Sequence, residues 1–222
     1  MRLPEPADRL AAIHARIAAA AALARRNPAE TQLIGVSKTQ PPEAITPLID
    51  AGHRIFAENR VQEAQAKWPA LREAAPDIAL HLIGQLQSNK ADDAIALFDA
   101  IHSVDRSSLV TALARAMDKV GRRPDCFIQV NIGDEPQKGG VPTADLAALV
   151  AEARAADLPV TGLMCIPPTD IEPAPYFALL AKLAADHGLG GLSMGMSGDF
   201  ETAVTLGATH VRVGTALFGA RA

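Results

Sequence analysis

The 222-residue sequence has few cysteines, few aromatic residues and no long apolar run. Its two cysteines, Cys126 and Cys165, lie at the edges of apolar runs, so we expect reduced core thiols rather than a disulfide framework. No stretch reaches the roughly 20 apolar residues that a transmembrane helix needs. The net charge of −4 and the scattered basic residues give no electrostatic footprint for nucleic acid or a membrane surface. The cytoplasm is therefore the expected location.

Several common motifs are missing as well. The six histidines have neither HxH nor HExxH spacing, which argues against a metal site. The apolar segment near the N-terminus is bracketed closely by arginines and lacks the layout of a secretory signal. No G-x-G-x-x-G follows the first apolar run, so the fingerprint of a dinucleotide-binding fold is absent from that position.

Short apolar runs alternate along the chain with longer amphipathic ones. This alternation predicts parallel strands joined by right-handed helical crossovers. Eight predicted strands is the number that closes a (β/α)8 TIM-type barrel, and an open doubly wound sheet is the competing architecture. The predicted strands are Leu33–Ser37, Arg54–Ala57, Ala79–Ile83, Ala100–Val104, Cys126–Asn131, Pro159–Met164, Gly191–Ser193 and His210–Val213. The predicted crossover helices are Glu43–Ala51, Arg60–Ala74, Lys90–Ala96, Ser107–Val120, Thr143–Ala155, Tyr176–His187 and Phe200–Leu206.

One further predicted helix, Pro6–Arg26, precedes the first strand, and Asn27-Pro28 is expected to stop it. Little chain remains after the eighth predicted strand for a full final helix. We therefore expect the N-terminal helix to help cover that gap. The length suits a single domain, residues 1–222, with a substantial core.

Lys38 stands at the end of the first predicted strand, in the segment LIGVSKTQPP. The strand period of two places Val36 and Lys38 on one face, and the C-terminal ends of barrel strands hold the active site. In an apolar mouth, desolvation would lower the pKa of this lysine and leave the nucleophilic amine that an aldehyde cofactor needs. Taken alone, Lys38 is more simply a surface-loop lysine, so the prediction depends on other parts of the chain.

Two short loops rich in glycine, serine and threonine follow the last two predicted strands, within SMGMSGD and RVGTALFG. Barrels often bind phosphate with the loops after strands seven and eight, where glycines let the backbone approach and hydroxyls donate. Each loop alone could be an ordinary tight turn. Together with a lysine on strand one, they form a moderately specific set. The residues that we expect at the phosphate are Ser197, Gly198, Arg212, Gly214 and Thr215.

Other strand ends carry polar residues with less certain roles. Asn59 follows the second predicted strand and could reach a ring substituent of a ligand. Lys138, in the loop after the fifth strand, either faces an anionic group of a ligand or is a solvated loop lysine. His81 lies within the third predicted strand, where a packed core histidine is the simpler interpretation than a catalyst.

Seven segments span most of the chain, from about residue 33 to residue 221: GVSKTQP, AENRVQEA, HLIGQLQSNK, QVNIGDEPQKGG, GLMCIPP, LSMGMSGDFETA and VRVGTALFGAR. Together they resemble the pyridoxal phosphate homeostasis protein family. The resemblance implies a fold like the barrel domain of alanine racemase and pyridoxal 5′-phosphate (PLP) as the cofactor. It also implies a Schiff base on Lys38, phosphate contacts at the five residues given above, and ring contacts near Asn59.

The family implies a role in intracellular PLP homeostasis without robust catalysis. Racemisation needs bases on both faces of the substrate carbon. Lys38 could serve one face, whereas the single tyrosine, Tyr176, is predicted at a helix start and we expect no second domain to supply another. Two alternatives stay open: a weak PLP-dependent amino-acid racemase, and a barrel that binds another phosphorylated metabolite without a Schiff base.

The expected ligand is PLP, and PLP-dependent apo-enzymes are candidate recipients of it. We expect no nucleic-acid or membrane partner. The lack of a large exposed apolar motif favours a monomer.

Overall fold

Each predicted apolar run forms a strand of one parallel sheet in the computed structural model, which describes residues 4–219. The strands are β1 (Gln32–Val36), β2 (Ile55–Glu58), β3 (Ala79–Leu82), β4 (Ala100–Val104), β5 (Asp125–Asn131), β6 (Val141–Pro142), β7 (Val160–Cys165), β8 (Gly191–Ser193) and β9 (His210–Val213). The sheet order is β4-β3-β2-β1-β9-β8-β7-β5-β6, and β4 also pairs with β5. That pairing closes eight strands into a ring and leaves the two-residue β6 beside β5. The predicted (β/α)8 barrel is confirmed.

The amphipathic segments between these strands form the outer helices. They are α1 (Pro6–Leu23), α2 (Pro42–Asp50), α3 (Val61–Ala74), α4 (Ala91–Leu97), α5 (Ser107–Val120), α6 (Leu146–Ala155), α7 (Ala174–Asp186), α8 (Phe200–Thr205) and α9 (Thr215–Phe218). Short 3-10 turns lie at Pro28–Glu30, Ser88–Lys90 and Thr143–Asp145. Within the described part of the chain, no helix is long and apolar enough to cross a membrane.

The N-terminal helix α1 packs against α2, α8 and α9, and so occupies the gap left by the four-residue α9. Leu10, Ile13 and Ile17 are buried on its inner face. Arg16 forms a bidentate ion pair with Glu201, with N–O distances of 2.7 and 2.8 Å. Because exposed ion pairs contribute only about 0–1 kcal/mol, apolar burial is the main attachment of the helix. The expectation that this helix covers the gap is confirmed.

The prediction that α1 extends to Arg26 is wrong, because the helix ends at Leu23. Arg25 has φ +55°, in the left-handed region. Its N–H donates to Ala22 O (3.0 Å), and the N–H of Arg26 donates to Ala21 O (2.9 Å). These two bonds form a Schellman motif, which satisfies the last carbonyls before the Asn-Pro pair is reached. The prediction of a single domain includes residues 1–3 and 220–222, which lie outside the described residues, and stays a prediction.

Two buried regions differ in character. Between the strands and the helices, the core is apolar, and Trp68, Phe56 and Phe177 are fully buried there. Cys126 and Cys165 are free thiols, and burial raises the pKa of each to about 12. Inside the barrel, several polar side chains are buried as well. They include His81, His102, Gln129, Ser193 and Arg212.

Candidate binding site

A cavity of about 330 Å³ opens at the C-terminal ends of the barrel strands. This volume lies at the lower end of the roughly 300–1,000 Å³ range of small-molecule sites. All the residues predicted from the sequence as ligand contacts line it, because parallel strands bring their C-terminal ends to the same mouth. They are Lys38, Asn59, Ser197, Gly198, Arg212, Gly214 and Thr215. The segment VRVGTALFGAR, which contains Thr215, continues to residue 221, and its last two residues, 220 and 221, lie outside the described residues.

Lys38 is half-buried at one wall of the cavity. The sequence placed this lysine at the end of the first strand, but β1 ends at Val36. Lys38 lies in a turn closed by the Gln40 N–H, which donates to Ser37 O at 3.0 Å. Val36 and Lys38 nevertheless both line the cavity, as the strand period predicts.

The two glycine-rich loops meet on the cavity wall. The hydroxyl oxygen of Ser197 accepts the N–H of Gly214 at 3.3 Å, which ties the loop after β8 to the loop after β9. A Cβ atom added at Gly198 would have no neighbour within 4 Å, and one at Gly214 would lie 3.5 Å from Val36 O. Both glycines therefore present bare backbone next to the open space of the cavity.

Arg212 lies on β9 with only 3% of its surface exposed. Its Nη1 donates to Ser193 Oγ (2.7 Å), and its Nη2 donates to the carbonyl oxygen of Cys165 (2.9 Å). Burial lowers the pKa of Arg212 from its usual value. The two hydrogen bonds fix the guanidinium at the cavity wall, with one orientation relative to the loops.

A chain of hydrogen bonds continues from Arg212 through the barrel interior. Ser193 Oγ, which accepts from Arg212 Nη1, lies 2.8 Å from His102 Nδ1, within hydrogen-bond distance. The other ring nitrogen of His102, Nε2, lies 3.1 Å from Nδ1 of His81, so the two rings share one hydrogen bond. Burial lowers the pKa of His102 well below its usual value and that of His81 to about 3. Both rings are neutral at neutral pH, and His81 is a packed interior residue, as predicted.

Asn59 and a second cavity extend the mouth towards β5. Asn59, Ile83 and Ile166 line both cavities, and the second also has a volume of about 330 Å³. Within residues 4–219, Asn59 Oδ1 is a buried oxygen without a hydrogen-bond partner. Lys138 lines the second cavity, where its Nζ lies 2.6 Å from Glu135 and so has its charge paired.

The sequence reasoning missed several residues of this site. Gln40, Ile166 and Met196 also line the main cavity, and the sequence analysis gave them no role, although they lie within the segments that carry the family resemblance. Cys165 contributes through its backbone carbonyl, which is available from any residue type and leaves no sequence signal. Across the described ranges, no group of three or more histidine, cysteine or acidic side chains is arranged to hold a metal ion.

Comparisons with known proteins agree on one family. The sequence matches the family model of the alanine racemase N-terminal domain over residues 9–222. The pyridoxal phosphate homeostasis protein of Aquifex aeolicus (strain VF5) is 39% identical over 224 residues, covering 96% of this chain and 97% of the relative. That of Pseudomonas aeruginosa is 41% identical over 222 residues, covering 97% and 95%.

Solved structures give the same result for the fold. PipY of Synechococcus elongatus PCC7942, solved with PLP bound, has a TM-score of 0.84 and 41% identity, covering 97% of this chain and 100% of PipY. Alanine racemase of Clostridium difficile 630 has a TM-score of 0.69 and 14% identity, covering 86% of this chain and 53% of the racemase. At that identity, the likeness to the racemase concerns the fold alone.

Proposed function

Because the chain belongs to the pyridoxal phosphate homeostasis protein family, we propose that it binds PLP at the C-terminal mouth of its barrel and serves PLP homeostasis. One observation supports this proposal above the others. A lysine, two glycine-rich loops and a buried arginine line one cavity, although they come from opposite ends of the sequence. The PLP-bound structure of PipY, a relative of nearly equal length, supports the choice of ligand.

The chemistry of the lining residues suits the phosphate end of PLP. A phosphate accepts hydrogen bonds and needs donors on several sides. Ser197 and Thr215 offer hydroxyls, and the open backbone at Gly198 and Gly214 lets an anion approach without meeting a side chain. Arg212 supplies a positive charge that does not depend on pH in the physiological range.

The opposite wall suits the ring and its aldehyde. When bound, PLP supplies an aldehyde that forms a reversible Schiff base with an amine, and Lys38 is the residue that we propose to provide the amine. Asn59 Oδ1, which lacks a partner among the described residues, is an acceptor for a ring substituent. The apolar side chains of Val36 and Ile166 lie around the ring space and limit the access of water.

We propose that the protein holds and releases PLP rather than racemising amino acids. Racemisation requires a second base on the face opposite to Lys38. The single tyrosine, Tyr176, lies in α7 and is not among the residues that line the cavity of the described structure. Deuterium exchange from solvent into the α-carbon of alanine tests this point, because a racemase exchanges that proton. Clear turnover would favour the racemase alternative.

Borohydride trapping tests the proposed attachment. Protein mixed with PLP is reduced and its peptides are mapped by mass, and we expect the stable adduct on Lys38. Lys38→Ala should lose both the adduct and the visible absorbance of the bound cofactor. Lys119→Ala, at an exposed lysine paired with Asp92, is the matched control and should behave as wild type. If the wild-type protein shows neither the visible absorbance nor the adduct, the better interpretation is a barrel that binds another phosphorylated metabolite without a Schiff base.

The homeostasis role predicts transfer of the cofactor to apo-enzymes that depend on PLP. We propose that the protein acts as a monomer in the cytoplasm, where its buried free thiols stay reduced. The loaded protein should activate an apo-enzyme in the presence of a scavenger that removes free PLP. If the scavenger abolishes activation of the apo-enzyme, the role of the protein is limited to buffering free PLP. Light scattering of the protein as it elutes from a size-exclusion column measures its molar mass and so tests the proposed monomeric state.

A further inference from the structure

The turn that carries Lys38 has an unusual backbone. Its four residues run from Ser37 to Gln40, and Thr39 has φ +64°, in the left-handed region. β-Branched residues rarely adopt this conformation, because their side chains crowd the backbone. Such conformations persist where surrounding contacts over-determine them, and they concentrate at functional sites.

Lys67 holds both ends of this turn. It lies on α3 with 8% of its surface exposed. Its Nζ donates to the carbonyl oxygens of Ser37 (2.8 Å) and Gln40 (3.0 Å), which are the first and last residues of the turn. A single buried ammonium therefore fixes the positions between which Lys38 and Thr39 lie.

Two carboxylates complete the arrangement. Glu58, fully buried on β2, accepts the Ser37 hydroxyl at 2.6 Å and lies 2.8 Å from Lys67 Nζ. Glu63 lies 3.0 Å from Lys67 Nζ and accepts the backbone N–H of Thr39 at 2.5 Å. We name Lys67, Glu58 and Glu63 the turn clamp. Three charged side chains thus contact three of the four residues of the turn.

Fold stability alone is a weak explanation for this clamp. Buried ion pairs lose much hydration, and apolar residues of similar volume often stabilise a fold equally well. The clamp contacts the turn through directional hydrogen bonds, which apolar packing would not supply. The clamp also distinguishes two lysines that lie close together. Lys67 forms ion pairs with Glu58 and Glu63 and contacts the backbone of the turn, and Lys38 belongs to the turn and lines the cavity.

We propose that Lys67, with Glu58 and Glu63, is a positioning residue that fixes the turn and thereby directs Lys38 into the cavity. This inference rests on the proposed function, because it assigns the clamp to the attachment of PLP. Lys67 acts through Lys38 and is not itself the attachment residue.

The first test replaces Lys67 with Met, which keeps the length of the side chain and removes the ammonium. Attachment of PLP is followed by visible absorbance and by the borohydride adduct on Lys38. We expect the equilibrium constant for attachment to fall about tenfold, which corresponds to about 1.4 kcal/mol. Lys182→Met is the matched control, since that lysine forms an exposed ion pair with Asp186, and it should behave as wild type.

A rescue separates positioning from general damage. Glycine adopts positive φ without steric cost, so Thr39→Gly lets the turn keep its shape with fewer supports. Added to Lys67→Met, it should restore attachment to within about threefold of wild type. In a Lys38→Ala background, Lys67→Met should leave the non-covalent affinity for PLP unchanged, because the clamp acts through the missing lysine.

A milder variant guards against a failure to fold. Glu63→Ala removes the acceptor of the Thr39 N–H but keeps the buried Glu58–Lys67 pair, and we expect attachment to fall about threefold. If wild type gives no adduct on Lys38, the proposed function and the clamp fall together. If wild type, Lys67→Met and Glu63→Ala attach PLP equally, the clamp alone is overturned. A loss that Thr39→Gly does not rescue, and that persists without Lys38, also overturns it.

Discussion

Acid should destabilise this protein steeply between pH 7.5 and 5.5, because four histidines are held neutral in the folded chain. Burial lowers the pKa of His53 and His210 to about 4, that of His81 to about 3, and that of His102 well below its usual value. In the unfolded chain, each returns to about 6.5. The unfolded state therefore binds more protons, and stability present above pH 6.5 is lost as the pH falls towards the folded pKa values.

The size of the effect between these two pH values depends little on the exact folded pKa values. At pH 5.5, an unfolded histidine with a pKa of 6.5 gains about 1.4 kcal/mol from protonation, against about 0.1 kcal/mol at pH 7.5. Four such residues give about 5 kcal/mol. Small domains have a total unfolding free energy of only about 5–15 kcal/mol, so this is a large fraction of it.

Urea unfolding of the protein without PLP at pH 7.5, 6.5 and 5.5 measures this loss. His53→Leu provides the internal check, because the Nε2 atom of His53 has no hydrogen-bond partner among the described residues. Between pH 7.5 and 5.5, the unfolding free energy of that variant should fall by about 1.3 kcal/mol less than that of wild type, since one of the four contributions is removed. A wild-type unfolding free energy that changes by less than about 1 kcal/mol would refute the reasoning, since the histidines would then be protonated in the folded state.

Two further predictions concern close contacts at the site. A Cβ atom at Gly84 would lie 2.2 Å from the carbonyl oxygen of Asn59, so Gly84→Ala should lower the unfolding free energy by about 1–3 kcal/mol and weaken PLP binding. Gly190→Ala, which meets nothing within 4 Å, should leave both unchanged in the same urea and PLP titrations. Ser193→Ala removes the acceptor of Arg212 Nη1 and should cost about 1–3 kcal/mol in urea unfolding, and an unchanged midpoint would contradict the buried hydrogen bond.

The sequence predicted the barrel well, because its strands are short apolar runs that alternate with longer amphipathic helices. The bounds of Ala100–Val104, Gly191–Ser193 and His210–Val213 are those of the structure, and each end of the other predicted strands agrees or differs by one residue. The candidate site followed from the same topology. Once eight parallel strands close, loops after the first and the last two strands must share a mouth, so Lys38 and the glycine-rich loops line one cavity.

The contacts that orient those residues could not be predicted in this way. Lys67 reaches the carbonyl of Ser37 across 30 positions of sequence, and Arg212 reaches that of Cys165 across 47. A backbone carbonyl is the same in every residue, so the acceptor leaves no trace in the sequence. The left-handed conformation of Thr39 runs against its residue type, and a local prediction would place glycine or asparagine there instead.

Arg212 links part of the acid sensitivity to the binding site, because its charge also lowers the pKa of His102 and of His210. A buried guanidinium needs acceptors, and the buried hydroxyl of Ser193 that accepts from Arg212 needs a further polar partner of its own. Nδ1 of the neutral His102, 2.8 Å from Ser193 Oγ, provides that partner. A leucine there would leave the hydroxyl unsatisfied, and the charge of Arg212 itself opposes a protonated ring, lowering the pKa of His102 further. Neutral histidine meets both demands, and its release to water on unfolding is one of the four contributions that make the fold vulnerable to acid.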